Sequence, residues 1–143
     1  MILVSLFVGT FSIVGVSNSQ TEMPNTEILL RVFSESPDGR VELTLTEQTF
    51  SSFAQKEIKT TTPWTDGENS FKGVLIRDIL IALGLPQKQY GNVKIHAYAS
   101  NDYTVEIPYE DAFKYDVIIA RSMNNTPLSL RTKGPLWIIY PWT

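Results

Sequence analysis

Polar and aromatic side chains that could hold a small ligand fall in three separate stretches of the chain. These are residues 60–64 (TTTPW), residues 100–103 (SNDY) and residues 121–133 (RSMNNTPLSLRTK). Together they supply hydroxyls, a carboxylate, amides, guanidinium groups and aromatic rings. Aromatic faces stack on planar rings, and Asp or Asn side chains accept hydrogen bonds from the donor edge of such rings. The set therefore suits a planar, hydrogen-bonding heterocycle.

Eight residues of these stretches form the predicted ligand-binding set. They are Thr62, Trp64, Ser100, Asn101, Asp102, Tyr103, Arg131 and Lys133. Most of them also have an ordinary structural interpretation, which the sequence leaves open. Trp64 could cover the core, Asp102 could form a turn, and the two cations could be solvated loop charges.

No reaction class is supported by the residue pattern. No serine stands in a G-x-S-x-G context, and no phosphate-binding glycine loop occurs. The chain has no cysteine, which excludes disulfides, thiolate metal ligands and a cysteine nucleophile. Its single histidine, His96, cannot form a histidine-rich metal site alone. We therefore predict neither catalytic residues nor a metal site.

The composition indicates one globular domain that does not bind nucleic acid. The chain has 143 residues and a formal net charge of −3. That length is sufficient for a single domain with a substantial core. The basic surface expected of a nucleic-acid-binding protein is absent.

The first nineteen residues have the pattern of a secretory signal peptide. Residues 1–19 carry no charge, residues 2–16 are largely apolar, and small residues precede Gln20. The apolar run is shorter than the roughly 20 residues of a spanning helix. We expect a signal peptide at 1–19, a flexible segment at 20–26 and a folded domain at 27–143, with an uncleaved anchor as the alternative. Either way, the domain would lie outside the cytoplasm.

The elements that must position the three stretches are mostly strands, so the predicted class is α+β. Strands are predicted at 27–33, 41–45, 57–62, 93–97, 104–107, 117–120 and 136–140. Helices are predicted at 47–55 with Thr46 as N-cap, at 74–83 with Gly84 as its end, and at 108–113. Residues 65–70 are predicted to be a loop. Each polar stretch then follows or joins strands, where binding residues are commonly found.

Three segments, in order, resemble sulfite-oxidase-like molybdopterin-binding domains. Residues 71–80 (FKGVLIRDIL) resemble the family pattern W-x-G-V-x-L-R-D-[VL]-L, and residues 103–108 (YTVEIP) resemble Y-x-x-x-I-P. Residues 116–135 resemble D-V-I-L-A-x-x-M-N-G-x-P-L-x-x-R-x-G-x-P. The resemblance implies a compact mixed-sheet α+β domain. It also implies a cysteine ligand to molybdenum before the W-x-G segment, where this chain has residues 60–64 and no cysteine.

Residues 134–141 (GPLWIIYP) and the leader are similar to a narrower group, the periplasmic pterin-binding proteins (PruR-like). This resemblance implies non-enzymatic binding of a reduced pterin, of the neopterin or monapterin type, without molybdenum. It further implies a periplasmic location and a partner, a membrane-bound diguanylate cyclase or phosphodiesterase whose periplasmic region reads the pterin-loaded state. By position, Tyr103 matches the family's active-site tyrosine and Arg131 matches its P-L-x-x-R-x-G element. A molybdopterin-dependent oxidoreductase and an interaction module without a small ligand remain as alternatives.

Overall fold

The computed structural model describes residues 2–6, 27–89, 93–99, 103–129, 131 and 134–141. These residues form ten strands and three short helices. The strands are β1 (Ile2–Leu6), β2 (Ile28–Ser36), β3 (Gly39–Thr46), β4 (Gln55–Thr61), β5 (Glu68–Leu75), β6 (Lys94–Ala99), β7 (Thr104–Pro108), β8 (Ile118–Met123), β9 (Thr126–Pro127) and β10 (Trp137–Ile139). The helices are α1 (Glu47–Ser52), α2 (Ile76–Ala82) and α3 (Asp111–Lys114).

One sheet, here called sheet A, has the strand order β3-β2-β1-β6-β7. Strands β2 and β3 form a hairpin, as do β6 and β7. Strand β1 is antiparallel to β2 and parallel to β6, so the sheet is mixed. In β2, Leu30 and Val32 are buried whereas Arg31 is exposed, which is the period-two pattern of a sheet with one covered face.

The other sheet, sheet B, has the order β10-β8-β5-β4, and β9 pairs with β8. Its central strand β8 is buried at Ile118, Ile119 and Ala120, as expected for a strand covered on both faces. Strand β5 approaches β8 very closely at Gly73. A Cβ atom there would lie 1.9 Å from the carbonyl oxygen of Ile119, so only glycine fits.

The buried side chains form two clusters that meet at sheet B. The larger cluster combines residues of both sheets and of all three helices, including Phe50 of α1 and Ile79 of α2. It also includes Ile119 of β8, whereas the neighbouring Ile118 belongs to the second cluster with Phe71. Sheet B therefore has a packed face on each side, and the second face carries the aromatic side chains discussed below.

The predicted α+β class is confirmed, with corrections at element boundaries. Thr46 is the N-cap of α1, as predicted, but the helix ends at Ser52 and not at residue 55. The helix predicted at 74–83 begins only at Ile76, because Val74 and Leu75 continue β5 and pair with β8. Gly84 follows this helix with φ +80°, as expected for a helix end.

Two further boundary predictions were wrong. The loop predicted at 65–70 is shorter, because β5 begins at Glu68. Pro108 does not open a helix, since it is the last residue of β7 and lies opposite Lys94. The short helix α3 begins at Asp111.

The N-terminal predictions fall largely outside the described residues. Of the predicted signal peptide, residues 2–6 are described and form β1. The remainder of that segment and residues 20–26 lie outside the described part. The division into a leader and a domain therefore stays a prediction. Among the described residues, no helix has the length and apolar character needed to cross a membrane.

Candidate functional site

The loop between β4 and β5 presents Trp64 at the surface. The backbone N–H of Trp64 donates to the hydroxyl of Thr62 at 3.2 Å, and the hydroxyls of Thr62 and Thr65 lie 2.7 Å apart. These short-range bonds close a tight turn, a role that Ser and Thr side chains commonly take. Trp64 is 60% exposed, so it does not fill the core.

Three aromatic rings form a column from the core of sheet B to the surface. The centroid of Phe71, which is fully buried, lies 5.6 Å from that of Trp137 in an edge-to-face arrangement. The half-buried Trp137 ring lies 6.1 Å from Trp64, with 58° between the planes. Contacts of this geometry are favourable between aromatic rings. The aromatic column, Phe71–Trp137–Trp64, therefore supports an exposed indole on a rigid base.

A polar turn after β8 is fixed to the start of β5. Asn124 and Asn125 have φ of 51° and 66°, a conformation that asparagine tolerates better than most residues. Ser70 N–H donates to the Asn124 side-chain oxygen at 2.9 Å, and Asn124 N–H donates to the Ser70 carbonyl at 2.7 Å. The Asn124 amide also donates to the side-chain oxygen of Asn69 at 2.9 Å. These bonds hold the beginning of the 121–133 stretch in one position.

Arg121 holds the rest of that stretch from inside. Its Nε lies 3.0 Å from both carboxylate oxygens of Glu47 on α1. Its Nη1 donates to the carbonyls of Leu128 at 2.9 Å and Pro135 at 3.3 Å. In the sequence, Arg121 belongs to the same polar stretch as Arg131 and Lys133. In the structure, however, the Arg121 guanidinium is used in bonds within the protein, including those to the backbone carbonyls of Leu128 and Pro135.

Arg131 is the other arginine of this stretch. It is exposed, in contrast to the largely covered Arg121. Gly134 N–H donates to the Ser129 carbonyl at 2.6 Å, which closes the segment that carries Arg131. A guanidinium in this position can donate to carbonyl or hydroxyl oxygens of a ligand. Lys133 lies outside the described residues.

Tyr103 belongs to sheet A and not to sheet B. It directly precedes β7, its carbonyl accepts the Ala99 N–H at 2.8 Å, and its side chain is 61% exposed. The predicted ligand residues Ser100, Asn101 and Asp102 lie outside the described residues, between these two positions. In the adjoining hairpin, Lys94 lowers the pKa of the exposed Glu106 carboxyl by hydrogen bonding and by charge.

Comparison with known proteins gives one family. The family of the oxidoreductase molybdopterin binding domain matches residues 25–143. The chain belongs to this family. None of the curated proteins compared with the chain matches it. The molybdopterin-binding domain thus begins just before β2 and includes every described element except β1.

The structure brings together part of the predicted set. Thr62 and Trp64 share one turn of sheet B and meet β10 through Trp137. Tyr103 is supplied by the hairpin of sheet A, and Arg131 follows β9. The molybdopterin-binding domain therefore draws its candidate residues from both sheets.

Sequence reasoning left Trp137 out of the predicted ligand-binding set. Trp137 packs against the second buried cluster, but it is only half-buried and also contacts the exposed ring of Trp64. Trp137 lies opposite Ala120, and its ring lies between Phe71 and Trp64. The pairing of the small Ala120 with the large Trp137 across β8 and β10 could have indicated this role, but recognising that pair requires the strand register. That register is not visible in a single sequence.

The residues present do not fit a thiolate-held molybdenum. The chain has no cysteine to supply the soft ligand that such a centre uses. Within the part of the chain that the structure describes, no three His, Asp or Glu side chains come together in a way that could hold a metal ion. The loop where the family resemblance places the cysteine instead carries the hydroxyls of Thr62 and Thr65 and the indole of Trp64. This loop offers stacking and neutral hydrogen bonding.

Proposed function

We propose that this domain binds a reduced pterin of the neopterin or monapterin type and catalyses no reaction. The observation that carries the proposal is the exposed Trp64 on its aromatic column, in a molybdopterin-binding domain that lacks any cysteine. The pterin ring is the planar, polar part that molybdopterin shares with simpler pterins. Loss of the metal ligand with an aromatic platform in its place favours binding over catalysis.

In the proposed mode of binding, the face of the pterin ring stacks on an aromatic side chain and its polar edge forms hydrogen bonds. The pterin plane stacks on Trp64 or Tyr103, both of which are exposed. The predicted acceptors Asn101 and Asp102 take hydrogen bonds from the 2-amino group and N3. Arg131 donates to O4 or to side-chain hydroxyls, while Thr62, Ser100 and Lys133 complete the predicted set.

We further propose that binding is read in the periplasm by the periplasmic region of a membrane-bound diguanylate cyclase or phosphodiesterase. The leader-like residues 1–19 and the resemblance to periplasmic pterin-binding proteins support this part. In this role the domain is a sensor that regulates cyclic-di-GMP signalling. Cell fractionation with detection of the processed chain tests the location. Pull-down of the periplasmic region, with and without pterin, tests the partner.

Titration with a reduced pterin under anaerobic conditions tests the binding itself, with tryptophan fluorescence as the signal. A saturable change at micromolar ligand is expected, with 1:1 stoichiometry by calorimetry. Stacking of a nucleic-acid base on an aromatic side chain contributes roughly 1–3 kcal/mol, so Trp64→Ala should weaken binding about 5- to 150-fold. Trp64→Phe should reduce the affinity for the pterin much less, because the substitution keeps an aromatic face.

Ile81→Ala is the matched control, since Ile81 is 58% exposed but lies on α2. It should leave the Kd unchanged. An absence of saturable binding by the unsubstituted protein would overturn the proposal. Equal Kd values for Trp64→Ala and Ile81→Ala would show that the pterin, if bound, does not stack on this ring.

Family membership favours a second candidate, a molybdopterin-dependent oxidoreductase. Stoichiometric molybdenum in protein expressed with molybdate would support this candidate and overturn the non-catalytic proposal. The missing thiolate favours the opposite result. An interaction module without a small ligand would give no pterin response in either the titration or the pull-down.

A further inference from the structure

The middle position of sheet A is filled by a strand from outside the family-matched region. Strand β1 comprises Ile2–Leu6, whereas the family match begins at residue 25. The backbone of Val4 lies opposite Val32 of β2 on one side and Ala97 of β6 on the other. Strand β1 is thus paired along both edges, although residues 7–27 separate it from β2 in the chain.

The position between β2 and β6, here called the β1 slot, requires a strand. With β1 in place, its neighbours Val32 and Ile95 are fully buried, and Ala97 is 3% exposed. Removal of β1 would leave backbone N–H and C=O groups of both flanking strands unpaired above this core. Unpaired buried backbone groups are strongly unfavourable, so nearly all such groups in native proteins have partners. Open strand edges are also templates for pairing with another chain.

The geometry of the β1 slot specifies its occupant. A strand in this position runs antiparallel to β2 and parallel to β6. The position of Val4 lies beside the buried Val32 and Ala97, and the position of Ile2 lies beside the buried Ile95 of β6, so apolar side chains are favoured at these two alternate positions. A proline is excluded in the centre, because both edges of the strand pair.

The slot also adjoins the predicted pterin site. The last register pair of β1 with β6 joins Leu6 to Ala99. Ala99 N–H in turn donates to the carbonyl of Tyr103, which closes the hairpin that carries the predicted residues of the 100–103 stretch. Strand pairing in the slot and the position of Tyr103 therefore depend on the same end of β6.

We propose that the β1 slot is a strand-binding site, and that in the processed domain it takes an extended segment of the membrane-bound partner with apolar residues at alternate positions. The inference rests on the proposed export and partner, because removal of residues 1–19 takes β1 away. Addition of a strand to a sheet is an established way to bind an extended peptide. Since β6 connects the slot to Tyr103, a partner segment that pairs with β6 responds to a change at the pterin site through β6.

The test starts from the full chain, with a specific protease site introduced between residues 20 and 24. The protein is folded first and cleaved afterwards, so the N-terminal segment becomes a separate peptide. A labelled probe peptide containing residues 1–8, followed by two lysines, is then added and its anisotropy is measured. We expect saturable binding as the probe replaces the cleaved segment. The Val4→Pro probe should bind at least tenfold more weakly, and the matched Val4→Ile probe should bind like the parent.

Several results would overturn the inference. One is a cleaved segment that cannot be displaced by excess probe, which would show a permanent strand. Another is a domain that stays folded after losing the segment and binds no probe. A third is equal binding of the parent and proline probes. If the cleaved domain unfolds when the segment leaves, refolding with the parent probe but not the proline probe supports the inference, and failure of both opposes it.

Competition between the probe peptide and the partner tests whether the partner occupies the β1 slot. The parent probe should weaken capture of the partner's periplasmic region at least tenfold, while the Val4→Pro probe should not. Capture that is unaffected by the parent probe would overturn the assignment of the partner to the slot. Probe binding is measured without pterin, and pterin titration is measured without probe. A failure of the strand-binding site is therefore distinguishable from a failure of the proposed pterin function.

Discussion

Replacing Arg121 with methionine should strongly destabilise the domain. Methionine keeps an unbranched stem of similar length but removes the guanidinium and its bonds to the carbonyls of Leu128 and Pro135. A hydrogen bond from a charged donor contributes about 1.5–3 kcal/mol, and the longer of these two will lie near the lower end. The ion pair with Glu47 adds only about 0.2–1 kcal/mol, because that carboxylate is half exposed.

The expected loss in the free energy of unfolding is therefore about 3–5 kcal/mol, measured by urea denaturation at 25 °C. Two substitutions distinguish the contributions to this loss in unfolding free energy. Glu47→Gln should cost below about 1 kcal/mol, because it removes only the exposed ion pair. Arg131→Met, on the same stretch but exposed, should stay within about 0.5 kcal/mol of the unsubstituted protein. If Arg121→Met matches Arg131→Met, the assignment of Arg121 as an internal support is refuted.

Three further predictions concern stability. Gly73→Ala should cost more than about 3 kcal/mol or prevent folding, because its Cβ would lie 1.9 Å from a carbonyl oxygen of the neighbouring strand; Lys72→Ala, exposed beside it, is the control in the same urea assay. Thr46→Ala should cost about 1 kcal/mol, seen as a lower urea midpoint, because the first turn of α1 loses its cap; an unchanged midpoint would contradict this. Burial and the hydrogen bond to Asp111 raise the pKa of Tyr140, so its contribution is full below the unfolded pKa of about 10 and is lost as pH rises above it. Tyr140→Phe should therefore show a shallower fall in unfolding free energy above pH 10, and an unchanged slope would argue against this role.

Local signals were sufficient for most of the fold. Alternation of apolar residues located β2 and β3, and the continuous apolar run located β8. Thr46 and Gly84 marked the helix ends correctly, because a capping hydroxyl and a positive φ are properties of a few adjacent residues. The predicted helix at 74–83 was wrong at its first residues, because their structure depends on a distant strand and not on adjacent residues. Apolar spacing could not show that Val74 and Leu75 are held by pairing with β8.

The candidate site was predictable in residue type but not in arrangement. Trp64 and Thr62 entered the predicted set because aromatic rings and hydroxyls are residue types that can hold a planar ligand. The roles of Trp137 and Arg121 depend on contacts between distant segments, namely the pairing of β10 with β8 and the packing of α1 against the last stretch. Such contacts are set by strand register and tertiary packing, which one sequence does not display. Strand β1 was unexpected, since an apolar N-terminal run suits a leader as well as a strand.

The strand order of sheet B has a consequence for synthesis of the chain. Strands β4 and β5 form a local hairpin, but β5 gains its second partner only when β8 is available. Until then, the inner edge of β5 is an open edge with Val74 and Leu75 on it. Because unsatisfied edges promote association between chains, a polypeptide that ends before residue 118 should aggregate although its first hairpins can form. The segment from β8 to the C-terminus thus also protects the folding chain from self-association.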